Sequence, residues 1–196
     1  MASPADREIP IFPLNTVLYP GGALPLKVFE QRYIEMTKAC LRDSLPFGVC
    51  LIREGREVGA AAVPEPVGCL ATIEHWDMHQ LGVFQLVARG TGRFRILETR
   101  IAPNHLVSAS IEAIAPDGAA EVDPLCRQVL GALIEKVGAG RFPAPVRLDD
   151  AEWVGFRLAE VLPIEARLKQ ALLEMTDAAA RLAKLRGLLE QQGLTV

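Results

Sequence analysis

The chain changes its hydrophobic period once, near residue 120, and that change limits what it can fold into. Before it, short runs rich in Val, Ile, Leu, Phe and Thr are separated by Gly, Pro, Asp or Asn, the pattern of strands joined by turns. The runs are "FGVCLI" (47–52), "VGCLATIEHW" (67–76), "GVFQLVARG" (82–90), "GRFRILET" (92–99) and "HLVSASIEAI" (105–114). In "RFRILETR", Phe94 and Ile96 fall on one face and Arg93, Arg95 and Leu97 on the other, the alternation of a half-buried strand. Such spacing predicts a meandering antiparallel sheet closing towards a small barrel. The glycines of "GTGRFR" are expected to connect two of its strands. One helix interrupts the sheet: "FEQRYIEMTKACLRD" (29–43) sets Phe29, Tyr33, Met36 and Cys40 at intervals of three and four, with Pro46 beyond its end.

After residue 120 the period is helical. Asp123 and Pro124 make an N-cap and first helical position. Cys126, Val129, Leu130, Leu133, Ile134 and Val137 follow as one stripe that Gly138 and Gly140 end. "RFPAPV" (141–146) is a non-helical linker, and Asp149 or Asp150 caps a helix carrying Trp153, Val154, Phe156, Leu158, Val161 and Leu162. "IEARLKQALLEM" is a third helix, and Thr176 or Asp177 caps a fourth that runs to about Gln192. Each has a single apolar face, so the four are expected to pack together as a bundle. The organisation predicted is a β-rich part over residues 8–118 and a helical part over 119–196.

The formal net charge of −3 and pI near 5.7 give no electrostatic reason to expect nucleic acid or an anionic membrane as main partner. "MASPADREIP" lacks the basic and apolar regions of a signal peptide, and no run reaches the ~18 apolar residues of a membrane helix. The cysteines, Cys40, Cys50, Cys69 and Cys126, form no Cys-x-x-Cys pair and read as reduced, mostly buried thiols of a cytoplasmic protein. No metal site or cofactor is expected from them.

Catalytic patterns are missing. There is no Gly-Lys pair for a phosphate-binding loop, and none of the four serines sits in a nucleophile elbow. "EHWDMH" brings Glu74, His75, Asp77 and His79 within six residues. A helix would let His75 and His79 share an ion, but the segment reads as a strand entering a solvated hairpin loop. Arg89, Arg93, Arg95 and Arg100 cluster around "ARGTGRFRILETR" and could meet RNA phosphates; Glu98 and Glu112 are available to neutralise them.

"FPLNTVLYPGGALPLKVFEQRY" (12–33) is apolar yet broken by three prolines and two adjacent glycines. With the "FGVCLI", Gly59 and "VGCLATI" segments, "LVARGTGRFRI" and the late "LPIEARLKQALLEMTDAAARLAKLRGLLEQ", it resembles, in order, the substrate-binding domain of the Lon ATP-dependent proteases. The resemblance implies an α+β fold, a PUA-like β pseudo-barrel with one inserted helix followed by a C-terminal helical bundle. In it Leu14, Val17, Leu18, Leu24, Leu26 and Phe29 would fill the barrel core, and Pro13, Pro20, Gly21, Gly22 and Pro25 would shape turns and irregular edges. The chain ends where the ATPase module would begin, so the expectation is a free-standing, non-catalytic module. The partners implied are unfolded or partner polypeptides and a separate protease.

Candidate polypeptide contacts are Tyr19, Lys27, Glu30, Arg32 and Tyr33 near the junction of barrel and helix, with Trp76, Met78 and His79 in the hairpin loop. Glu30 and Arg32 fit an internal salt bridge equally well. The alternative is an RNA-binding PUA-like protein using the Arg89–Arg100 hairpin. A third class, a small enzyme using His105 or Cys69, finds no nucleophile–base spacing to support it.

Overall fold

A computed structural model describes residues 7–80 and 82–194. The chain divides into two compact units, the first ending at Ile114 and the second starting at Ala115.

The first unit is built on seven strands and one helix. They are β1 (Arg7–Leu14), β2 (Ala23–Val28), α1 (Gln31–Asp43), β3 (Phe47–Glu54), β4 (Val63–Pro64), β5 (Val67–Gln80), β6 (Val83–Ile101) and β7 (Val107–Ile114). Neighbours run β1-β7-β6-β5-β3, and β3 returns to pair with β1 in parallel, closing a five-stranded ring. Closure leaves those five strands without a bare edge. The lines of the interior are Phe12, Phe47, Val49, Phe84 and Leu86, plugged by Tyr33, Ile34, Met36 and Cys40 of α1.

β6 is 19 residues long because two predicted strands are one. Its first half pairs with β2 (Ala23↔Arg89 to Val28↔Phe84) and its second with β7 (Arg93↔Ile114 to Ile101↔Val107). Gly90 and Gly92 lie at the handover and make no turn. Gly90 exchanges backbone hydrogen bonds with Gly21 and Gly22, and a Cβ there would stand 2.2 Å from the Tyr19 carbonyl oxygen. Glycine is required by close backbone approach. β5 likewise continues through "EHWDMH" to Gln80, where a loop was expected.

Two burial expectations change. Phe29 precedes the first turn of α1, so the helical period does not carry it inward, and it is 53% exposed. Arg93 and Phe94 are both buried, at 3% and 0%, because β5 and β6 pair through register shifts that break strict alternation.

The second unit holds α2 (Pro124–Val137), α3 (Ala151–Val161), α4 (Ala166–Glu174) and α5 (Ala178–Gln191). Asp123, Asp150 and Asp177 cap α2, α3 and α5, accepting from the backbone N–H of Cys126, Trp153 and Ala180 at 3.0, 3.0 and 3.1 Å. The apolar faces bury Leu130, Val154, Leu158, Leu172, Leu182 and Leu185, each below 2% exposed; Val137 and Val161 stay at the surface. At the centre is Arg181. Its guanidinium donates to Asp117 Oδ2 at 2.5 Å, to the Leu172 carbonyl at 2.9 Å and to the Met175 carbonyl, and stacks 4.2 Å over Phe156. Gly155 makes the room, since a Cβ there would sit 3.1 Å from Arg181 Cδ.

All four cysteines are buried free thiols. Burial pushes Cys40 up to about 11 and Cys126 up to about 12, and raises Cys50 as well.

Candidate functional site

β2 stands outside the ring and, among the described residues, pairs with β6 alone. Its sequence, Ala-Leu-Pro-Leu-Lys-Val, alternates, and register settles its faces. Leu24, Leu26 and Val28 share a face with Ala88, Leu86 and Phe84, turned to the interior. Pro25 and Lys27 point outward in rows that continue through Val87 to His75 and through Gln85 to Asp77. Pro and Lys are the residues that guard bare edges against indiscriminate pairing.

Two clefts flank β2 and share Pro25, Leu26 and Lys27 as a wall. The inner cleft, about 260 Å³, is lined by Phe12, Leu14, Leu26, Phe29, Tyr33 and Val58, with Lys27, Glu30 and Glu57 also contributing. The outer cleft, about 650 Å³, is a shallow trough over the Pro25–Val87–His75 and Lys27–Gln85–Asp77 rows. Phe29 (53%), Val58 (56%) and Trp76 (54%) are large apolar side chains left half in water around these clefts.

An ion-pair clamp fixes the far wall of the inner cleft. Arg32 is 4% exposed, pairs with Glu30 at 3.1 Å, and donates to the carbonyls of His105 (3.0 Å) and Glu57 (3.5 Å). Glu30 accepts from Gly59 N–H at 3.4 Å, and Glu57 accepts from Asn15 N–H at 2.6 Å. Glu30 occupies the N-cap position of α1 without capping it, because its carboxylate is turned to Arg32 and the 57–59 loop. The Phe-Glu-x-Arg-Tyr stretch thus secures a loop whose Val58 faces the cleft.

The predicted contact residues separate accordingly. Lys27, Glu30 and Tyr33 line the inner cleft, Tyr33 stacked on Phe12 at 4.0 Å with its hydroxyl pKa raised by burial. Trp76 lines the outer cleft, its ring 5.8 Å from Phe84, and Met78 packs against the interior cluster. Tyr19 is 0% exposed and Arg32 nearly so; neither has surface to offer, the first serving the Gly90 approach and the second the clamp. The His79 side chain lies outside the described ones. Phe29 and Val58 line the inner cleft and were not among the expected contact residues. The signal for Val58 was a lone apolar residue in the charged "REGREVG" loop.

The arginines do not assemble into a basic face. Arg89 donates to both carboxylate oxygens of Glu74 at 2.9 and 2.8 Å and to the Gly21 carbonyl, and this bonding lowers the Glu74 pKa. Arg93 is buried, and Arg100 pairs with Glu8 at 3.6 Å. Arg95 and Arg100 are the exposed members of the four, Arg100 held by Glu8 and Arg95 in register with Glu112. The neutralising partners are Glu74 and Glu8, where Glu98 and Glu112 were expected. Among the described residues no group of three or more His, Cys, Asp or Glu could hold a metal ion, and no helix is long and apolar enough to cross a membrane.

Residues 8–191 match the family model of the ATP-dependent protease La (LON) substrate-binding domain. Lon protease 2 of Myxococcus xanthus is 30% identical over 190 residues, covering 90% of this chain and 22% of that protein. Lon protease 2 of Herpetosiphon aurantiacus is 26% identical, covering 94% of this chain and 24% of its own length. The chain thus spans about a quarter of these curated relatives. Among solved structures, a Lon N-terminal domain protein from Xanthomonas campestris superimposes with a TM-score of 0.77 at 36% identity, covering 92% of this chain and 98% of that one. The N-terminal domain of Mycobacterium avium complex Lon protease, at 19% identity and TM-score 0.67, shares the fold.

Proposed function

Because the chain belongs to the LON substrate-binding domain family, we propose that it is a non-catalytic module that binds exposed apolar segments of polypeptide along β2. The observation that carries this reading is the cluster of half-exposed Phe29, Val58 and Trp76 around two clefts that share one strand. Apolar walls supply affinity without demanding one sequence, and the edge of β2 can add a few main-chain hydrogen bonds to an extended segment. Pro25 has no N–H to give, so pairing along that edge stays short and side-chain capture dominates. The four buried thiols support a cytoplasmic setting. The Arg89–Glu74 pair and the burial of Arg93 weigh against the RNA reading.

The test is fluorescence anisotropy of a labelled, permanently unfolded protein titrated with this chain at low and high salt. Saturable binding that survives high salt is expected. Phe29→Ser with Val58→Ser should weaken it about tenfold, in line with the burial energy of one or two apolar side chains. No binding, or binding that salt abolishes while Arg95→Glu removes it, overturns the reading in favour of a phosphate-bearing partner.

A further inference from the structure

A third cleft, of about 280 Å³, lies between α1 and the start of β1, and neither the β2 groove nor the clamp uses it. Its apolar floor is Ile9, Met36 and Cys40, each at most 5% exposed, and its lip is Leu45, 44% exposed. The Cys40 thiol is raised by burial and stays neutral, so it serves as an apolar wall. The chain cannot close over this cleft at the end of α1: Ser44 turns into the left-handed region (φ 51), and Pro46 follows.

The cleft carries two charged side chains, Glu8 and Glu35. Glu8 is engaged by Ser108 Oγ and by Arg100. Glu35 is met by neutral amides, Gln31 Nε2 at 3.0 Å and Asn104 Nδ2 at 3.4 Å, and among the described residues no ion pair holds its exposed carboxylate. An apolar pit beside a carboxylate is complementary to an apolar side chain beside a cation.

We infer that this cleft is a second polypeptide contact that takes one aliphatic side chain with a lysine or arginine next to it in sequence. The inference rests on the reading that the chain binds polypeptide, but not on the β2 groove being where the rest is held. A segment with an acidic neighbour would be turned away by Glu35, so the cleft would grade apolar segments by the charge beside them.

The chain's methionines provide the readout. Met36 lies in the floor of this cleft, Met78 on the β5 side of the barrel interior, and Met175 in the helical unit. Full-length protein labelled at the methionine methyls is titrated with Gly/Ser peptides containing Leu-Lys, Leu-Glu or Ser-Lys, followed by NMR. The Met36 methyl should shift saturably with Leu-Lys, about fivefold more weakly with Leu-Glu, and not with Ser-Lys. Glu35→Gln should erase the Leu-Lys preference. Ala39→Leu, which fills the cleft with a good helix former, should abolish the Met36 response while Met175 stays unmoved.

If Met36 stays still while Met78 answers an unfolded protein, polypeptide binding stands and this inference falls. Silence at both methionines removes the polypeptide reading as well. Equal response to Leu-Lys and Leu-Glu overturns the charge selection, and a Met36 shift that depends on protein concentration alone assigns the cleft to a second copy of this chain.

Discussion

Among the described residues each unit buries two arginines, and one from each, Arg181 in the helices and Arg32 in the barrel, are used differently. Arg181 is fully buried, as is its partner Asp117, and its remaining donors go to two carbonyls of the segment around α4. Every contact lies within the helical unit, so the pair fastens the chain ahead of α2 to the bundle. Arg32 is buried, but its partner Glu30 is 21% exposed, and its donors reach two separate loops. One arginine holds a core together; the other holds a surface in shape. A buried charge is an indifferent source of net stability but fixes the geometry of whatever it bonds.

That contrast orders the expected effects. Asp117→Ala leaves a guanidinium buried without its counter-ion and should cost about 3–5 kcal/mol in urea unfolding; a loss under about 1 kcal/mol would mean that Arg181 is satisfied by carbonyls alone. Arg32→Met should cost about 2 kcal/mol, and its sharper mark would be faster amide exchange at Gly59 and Asn15. If those amides stay protected, the loop is held by something other than the clamp. Phe29→Ser with Val58→Ser should change stability by less than about 1 kcal/mol while weakening polypeptide binding, separating the surface from its support.

The exposed pair Arg89–Glu74 serves as the control, with side chains 31% and 36% exposed. The hydrogen bond from Arg89 lowers the Glu74 pKa from its ordinary 4.5, so the contribution is present above that value and lost as pH falls through the lowered one. Solvent screening holds it to about 0.5 kcal/mol. The difference between wild type and Arg89→Gln should therefore fade as the pH falls below 4.5 and vanish once it has passed through the lowered Glu74 value; a difference that persists in stronger acid would come from the bond to the Gly21 carbonyl instead.

The helical unit was the more legible. Asp123, Asp150 and Asp177 announce three helix starts with side chains that can do only a few things at those positions, and the stripes behind them have one period. In the barrel, local signals carry two meanings. Gly90 and Gly92 have the look of a turn but lie within a continuous strand, where Gly90 lets the Tyr19–Gly22 backbone approach, and nothing local separates those uses. "EHWDMH" is polar enough for a loop, yet it pairs with β6 because that strand runs on beside it. The candidate site was legible as a neighbourhood but not residue by residue. Tyr19 and Arg32 are the large polar residues a contact would use, and also the ones a barrel needs inside. Phe29 has the opposite character, and only the late start of α1 turns it outward.

The burial of all four thiols has a consequence for how the molecule meets electrophiles. In alkylation and oxidation of cysteine the thiolate is the reactive form; all four thiols are inaccessible, and burial disfavours the thiolate at Cys40, Cys50 and Cys126, so the folded chain offers no exposed thiol. Modification must wait for an opening event, and its rate reports how often that event occurs. Cys40, Cys50 and Cys69 keep that record for the barrel, and Cys126 keeps it for the helices. A single labelling time course, resolved by peptide mass, would then give two clocks, one for each unit, with no probe added to the sequence.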